Sequence, residues 1–145
     1  MTERREGPPQ VVVAALIERG ARVLVSQRPP GVGHGGRWEF PGGKRERGET
    51  DEAALRRELW EELDVELDVG GQVWRAPAGA LEIRFYRCAW RAGQRPRPLG
   101  CAQFRWVRLT DLASYAFPPA DAAFVRALVE GRLAGVARGR GRQVG

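Results

Sequence analysis

Lysine is almost missing from this chain: of its 24 lysines and arginines, only Lys44 is a lysine. Cysteine is nearly as scarce. Cys88 and Cys101 stand too far apart for a CxxC motif and are too few for a disulfide framework, so both read as ordinary reduced thiols with no role. No apolar run approaches the ~20 residues needed to cross a bilayer, which excludes a spanning helix. The opening MTERREGPPQ is not followed by a secretory apolar stretch, because VVVAALI is too short and reads as a strand. The expectation is a soluble, cytoplasmic protein with no membrane partner.

What is present suits one globular domain. The chain has 145 residues, 43% hydrophobic and 29% charged, enough to bury a core without disulfides or metals as staples. Its net charge of +6 is compatible with nucleic acid, an anionic membrane surface or a small polyanion such as a nucleotide polyphosphate, and charge alone does not choose. Residues 1–10 read as a flexible N-terminus, 11–134 as the domain and 135–145 as a basic, disordered tail. That tail carries arginines without interleaved aromatics, which argues against a nucleic-acid partner. No internal repeat is visible, and the oligomeric state is left open.

The runs 11–17 and 22–27, joined by a turn at Arg19-Gly20, predict a hairpin. PPGVGHGG, residues 29–36, reads as a loop, and His34 within it as solvent-exposed. WEF, 38–40, is a short extended segment leading into a glycine loop. Thr50 as N-cap, with Asp51 and Glu52 in the first turn, predicts a helix over 51–63 whose Leu55, Leu59 and Leu63 form the buried stripe. Strands follow at 65–75, 81–90 and 104–109, then a helical turn at TDLASY and a helix over 119–133. Strands with one middle and one late helix imply an α+β fold, a mixed β-sheet layered as α/β/α.

The stretch GGKRERGETDEAALRRELWEELDV crowds acids behind glycines. At about 100° per residue, with Glu58 set at zero, Glu61 falls near 300° and Glu62 near 40°, so three carboxylates share an arc bordered by Arg57. That arc adjoins the leucine stripe. Carboxylates beside a core partly neutralise unless a cation compensates them, and all-oxygen ligands select Mg²⁺ or Mn²⁺; an acidic solvated face is the other reading of the same spacing. The bare backbone at Gly42 and Gly43 leaves a carbonyl accessible to an ion.

The same residues resemble the Nudix box: Gly43, Glu49, Arg57, Glu58, Leu59, Glu61, Glu62 and Val65 match its pattern, whereas Asp64 stands where the pattern has glycine. EFPGGK at 39–44, SQRPP before it, the Trp106 strand and FPPAD at 117–121 are similar to the MutT-like branch in the same order. The resemblance implies a Nudix-type α/β/α sandwich and Mg²⁺-dependent hydrolysis of a nucleoside triphosphate, with 8-oxo-dGTP or another (d)NTP as the small-molecule partner. It implies that the Gly42 carbonyl, Glu58, Glu61 and Glu62 hold metal and that Arg57 orients Glu58. Glu49 would support the cluster, and Lys44 would meet phosphate charge. It matches Arg28, Phe40 and Asp121 to the base pocket. Asp121 reads equally as a helix cap, Phe40 as core, and Arg28 as a strand-end charge. A second departure is Gly100, where MutT-like enzymes often carry a metal-binding glutamate; Glu82 is the candidate substitute. Two alternatives are kept: hydrolysis of another nucleoside diphosphate derivative, such as a nucleotide sugar or dinucleoside polyphosphate, and a nucleotide-binding module that has lost turnover.

Overall fold

The structure, a computed structural model, describes residues 10–31, 33 and 35–133. The expectations for His34, for residues 1–9 and for the tail 135–145 lie outside the described residues. Among the described residues, seven strands and two α-helices follow in order: β1 (Gln10–Arg19), β2 (Arg22–Gln27), β3 (Trp38–Glu39), β4 (Gly42–Lys44), α1 (Asp51–Leu63), β5 (Leu67–Ala78), β6 (Leu81–Trp90), β7 (Gln103–Arg108) and α2 (Pro119–Val129). A 3-10 helix, Leu109–Ser114, links β7 to α2. The late helix stops short of the expected 133, because Gly131 turns left-handed at φ 72°.

The strands form one mixed sheet in the order β3-β2-β1-β6-β5, with β4 beside β1 and β7 beside β2. β1 pairs in parallel with β6, Gln10 opposite Leu81 and Ile17 opposite Cys88, while the other pairings are antiparallel. β1 is buried on both faces, so its residues divide by parity. Val11, Val13, Ala15 and Ile17 pack with Ala54, Leu55, Leu59 and Leu63 of α1. Ala14 and Leu16 point the other way, into a core with Phe85, Phe124 and Leu128. The sheet is therefore sandwiched between α1 and α2, with a separate apolar layer on each face.

Residues 42–44 depart from the expected loop. They form β4, antiparallel to β1, with Val13 opposite Gly43 and Ala14 opposite Gly42. Flanking bonds from Ala15 N to Pro41 O (2.8 Å) and Arg45 N to Val11 O (2.9 Å) extend the ladder. Glycine is what makes so close a pairing feasible: a Cβ on Gly42 would lie 1.9 Å from the Val13 carbonyl oxygen, and its φ is 156°.

Helix α1 starts as its sequence directs, Thr50 Oγ1 accepting from Ala53 N at 3.0 Å. Its start is also tied to the sheet. The Asp51 carboxylate accepts from Arg45 (2.5 Å), Arg84 (3.0 Å) and the Tyr86 hydroxyl. Burial alone would raise the Asp51 pKa, but these donors more than offset it and leave it lowered. At the other end Asp64 adopts φ 62° and ψ 39°, where the box pattern has glycine. Aspartate tolerates this left-handed conformation at a cost of about 1 kcal/mol.

Candidate active site

Two neighbouring features meet at Gly42 and Gly43. One is the acidic face of α1. The other is a cleft of about 350 Å³ lined by Arg28, Glu39, Phe40, Phe85, Pro118 and Asp121 together with the two glycines. The contact is tight, since a Cβ on Gly43 would lie 2.4–2.5 Å from the Glu58 carboxylate atoms.

Within the acidic face Arg57 is the organiser. Its Nε and Nη2 donate to the two Glu49 oxygens at 2.6 and 3.0 Å, and Nη2 also donates to the Lys44 carbonyl at 3.1 Å. Nη1 donates to Glu58 at 3.0 Å and Glu61 at 3.2 Å. The Arg57 hydrogen bonds and a bond from the Glu46 amide hold the Glu49 carboxyl down at about 2. Burial instead raises the pKa of Glu58, against the pull of Arg57. Glu62 departs furthest: burial, then the nearby charges of Glu39 and Glu58, push it up to about 9, against a hydrogen bond from the Gly42 amide.

These groups do not form a finished cage. Among the described residues, no three histidine, cysteine, aspartate or glutamate side chains are grouped to hold an ion. The donor set nonetheless fits a hard divalent cation. Glu62 Oε1 is buried without a hydrogen-bond partner, Glu58 lies on the bare backbone of Gly43, and every available donor is oxygen. Lys44 is exposed beside Gly43, with the Arg57 contact made through its carbonyl.

In the cleft, Arg28 Nε pairs with Glu39 at 3.1 Å. Phe40 is only 4% exposed; it stacks on Phe117 at 5.3 Å and meets Phe85 and Phe124 edge-on, so it belongs to the core while also walling the cleft. Asp121 is 6% exposed and, among the described residues, makes no side-chain hydrogen bond. Burial and the Glu39 charge, opposed by Arg28, raise its pKa to about 7. A capping role finds no support: the α2 N-cap is Pro118, with no side-chain cap bond.

Glu82 does not substitute for the acid missing at Gly100. Its carboxylate is bound by Arg84 at 3.0 Å and lies near Arg75, and Arg84 also holds Asp51, which places Glu82 at the start of α1 rather than beside Glu62. Sequence reasoning passed over Glu39, whose only signal was a charge between the aromatics Trp38 and Phe40. It also passed over Arg97, which pairs with Asp64 at 3.1 Å.

The chain matches the NUDIX domain family over residues 12–127. It is 43% identical over 123 residues to a Mycobacterium tuberculosis protein named as an 8-oxo-dGTP diphosphatase, the match covering 80% of this chain and 85% of that one. It is 35% identical over 126 residues to the Escherichia coli CTP pyrophosphohydrolase, covering 85% and 93%. Among solved structures, the E. coli ORF135 protein superposes with a TM-score of 0.72 at 30% identity, covering 94% and 98%.

Proposed function

Because the chain belongs to the NUDIX domain family, we propose that it hydrolyses a nucleoside triphosphate to the monophosphate and pyrophosphate, with Mg²⁺ as the natural cofactor and Mn²⁺ as a substitute. The observation that carries this reading is the junction at Gly42 and Gly43, where a nucleotide-sized cleft meets the acidic face of α1 through the contact of Gly43 with the half-buried Glu58 carboxylate. The names of the relatives support the same reaction class.

Glu58, Glu61, Glu62 and the Gly42 carbonyl would hold the metal. A divalent ion bound there supplies charge neutralisation on the phosphates and a lowered pKa for the attacking water. The chain's own residues do the rest. Arg57 fixes Glu58 and Glu61 by hydrogen bonds from one nitrogen while its other two nitrogens anchor it on Glu49, so the acids keep their positions when charge builds up nearby. Glu58, held by Arg57 Nη1 at 3.0 Å, is the base we assign to the water's proton. Lys44, exposed beside Gly43, meets phosphate.

The base enters between Phe40, Arg28 and Asp121. With a pKa of about 7, Asp121 accepts a hydrogen bond from an exocyclic amine when ionised and donates to a carbonyl when protonated. Oxidised guanine and cytosine both satisfy such a group, in keeping with the names of the two relatives. The experiment is pyrophosphate release from 8-oxo-dGTP, dGTP, CTP and dCTP, with and without Mg²⁺. Turnover of at least one in Mg²⁺ alone is expected. Failure on all four, with turnover of a nucleotide sugar or dinucleoside polyphosphate, would move the substrate to another nucleoside diphosphate derivative.

A further inference from the structure

The two departures from the family pattern, Asp64 and Gly100, lie in one place. The connection between β6 and β7, residues 91–102, runs along the end of α1 and supplies donors to its carbonyls. Arg97 N donates to Leu63 O at 2.9 Å, and Leu99 N and Gly100 N donate to Glu62 O at 2.9 and 3.1 Å. These bonds satisfy carbonyls that a helix end leaves without intrahelical partners. Just beyond, Gln94 bonds both the amide and the carbonyl of Glu66, at 2.7 and 3.0 Å. Gly100 comes so near that a Cβ would lie 3.3 Å from Glu62 Cα and 3.5 Å from its Cγ. On the outside, Arg97 Nε donates to the Asp64 carboxylate at 3.1 Å.

Asp64 is the one non-glycine residue with positive φ among the described residues. Its backbone gains nothing from being aspartate, whereas its side chain reaches the loop. We infer that Asp64 and Arg97 form a clasp that docks the 91–102 connection on the last turn of α1 and thereby positions Glu62. Asp64 and Arg97 are positioning residues, acting through the backbone of Glu62 and touching no substrate. The consequence for Glu62 as a metal ligand rests on the proposed function; the docking itself does not. The loop brings no carboxylate of its own to the acids, since residues 91–102 contain neither aspartate nor glutamate. Its contribution is to hold one already on the helix.

The test uses Asp64→Gly, Asp64→Asn and Arg97→Gln in the full chain, with amide hydrogen exchange at Leu99 and Gly100 as the first readout. The pair is well exposed, its side chains 64% and 31% accessible, so its effect is modest. Exchange should accelerate about two- to fivefold in each variant, and the Asp64→Asn/Arg97→Gln double variant should be no faster than either single one. Calorimetry without nucleotide should show Mg²⁺ affinity weakened by about the same factor, and turnover should show a lower kcat with KM for nucleotide unchanged. Asp64→Gly is the decisive case. It restores the family residue and relaxes the backbone, so unchanged exchange with equal or faster turnover would overturn the clasp. Wild-type protein that binds Mg²⁺ but turns over no nucleotide would sink the proposed function and leave the clasp to be judged on exchange and affinity.

Discussion

Arg57 grips Glu49 through two hydrogen bonds, of 2.6 and 3.0 Å, at a separation of eight residues. That fork fixes the guanidinium plane, and the remaining nitrogen is thereby aimed between Glu58 and Glu61. A lysine ammonium is a point donor and cannot occupy all these positions from one geometry. Arg57→Lys should therefore lower turnover about 10- to 100-fold while the protein stays folded by circular dichroism. Equal turnover would mean that the fork does not set the acids.

Glu62, held at about 9, keeps its proton at neutral pH without a cation. A metal must displace that proton to use the carboxylate, so binding couples to pH. Mg²⁺ titrations at pH 7 in two buffers of different ionisation enthalpy should report about one proton released per ion, and apparent affinity should rise up to pH ~9. Glu62→Gln should abolish the release. Identical proton counts for the two proteins would remove Glu62 from the ligand set.

Asp121 couples stability to pH with a definite sign. Its folded pKa of about 7 lies above the usual carboxylate value, so the folded state holds the proton more tightly than the unfolded chain. The stability that Asp121 contributes is fully present below pH ~4, declines as pH rises towards 7, and then levels off. Asp121→Asn removes the charge that must be buried, and urea unfolding should find it more stable than wild type at pH 8, by up to about 4 kcal/mol, with the gap closing towards pH 4. The same variant should change the ranking of bases in the pyrophosphate assay. A gap independent of pH would show that Asp121 does not titrate in this range.

The two glycines should fail differently when changed to alanine. Gly42→Ala strikes the Val13 carbonyl and should destabilise the β1–β4 pairing, lowering the urea midpoint by the equivalent of ~1–3 kcal/mol. Gly43→Ala strikes first the Glu58 carboxylate, the end of a side chain and not a backbone atom, so its cost should appear in Mg²⁺ affinity and turnover more than in stability. Equal destabilisation by both would contradict this division.

Local signals made much of this readable beforehand. Thr50, the leucine period and the acid spacing all lie within one helix, and α1 spans Asp51–Leu63 as that pattern dictates. What stayed hidden depends on partners far along the chain. Gly42 and Gly43 look like loop residues until β1 is beside them. Asp51 looks like a helix-start charge, yet its partners Arg84 and Tyr86 come from a strand more than thirty positions later. Asp121 enters the cleft only because α2 packs against the sheet face opposite α1. No periodicity encodes such meetings.

The parallel neighbour of β1 is β6, which pairs Gln10 with Leu81 and Ile17 with Cys88. During synthesis the first strand therefore emerges long before the segment that flanks it, and a large loop must close before the centre of the sheet can assemble. Such distant pairing slows folding, to the range of milliseconds or longer for comparable topologies. Any nascent chain cut short of β6 would carry an unmatched valine-rich edge, open to association with its own kind.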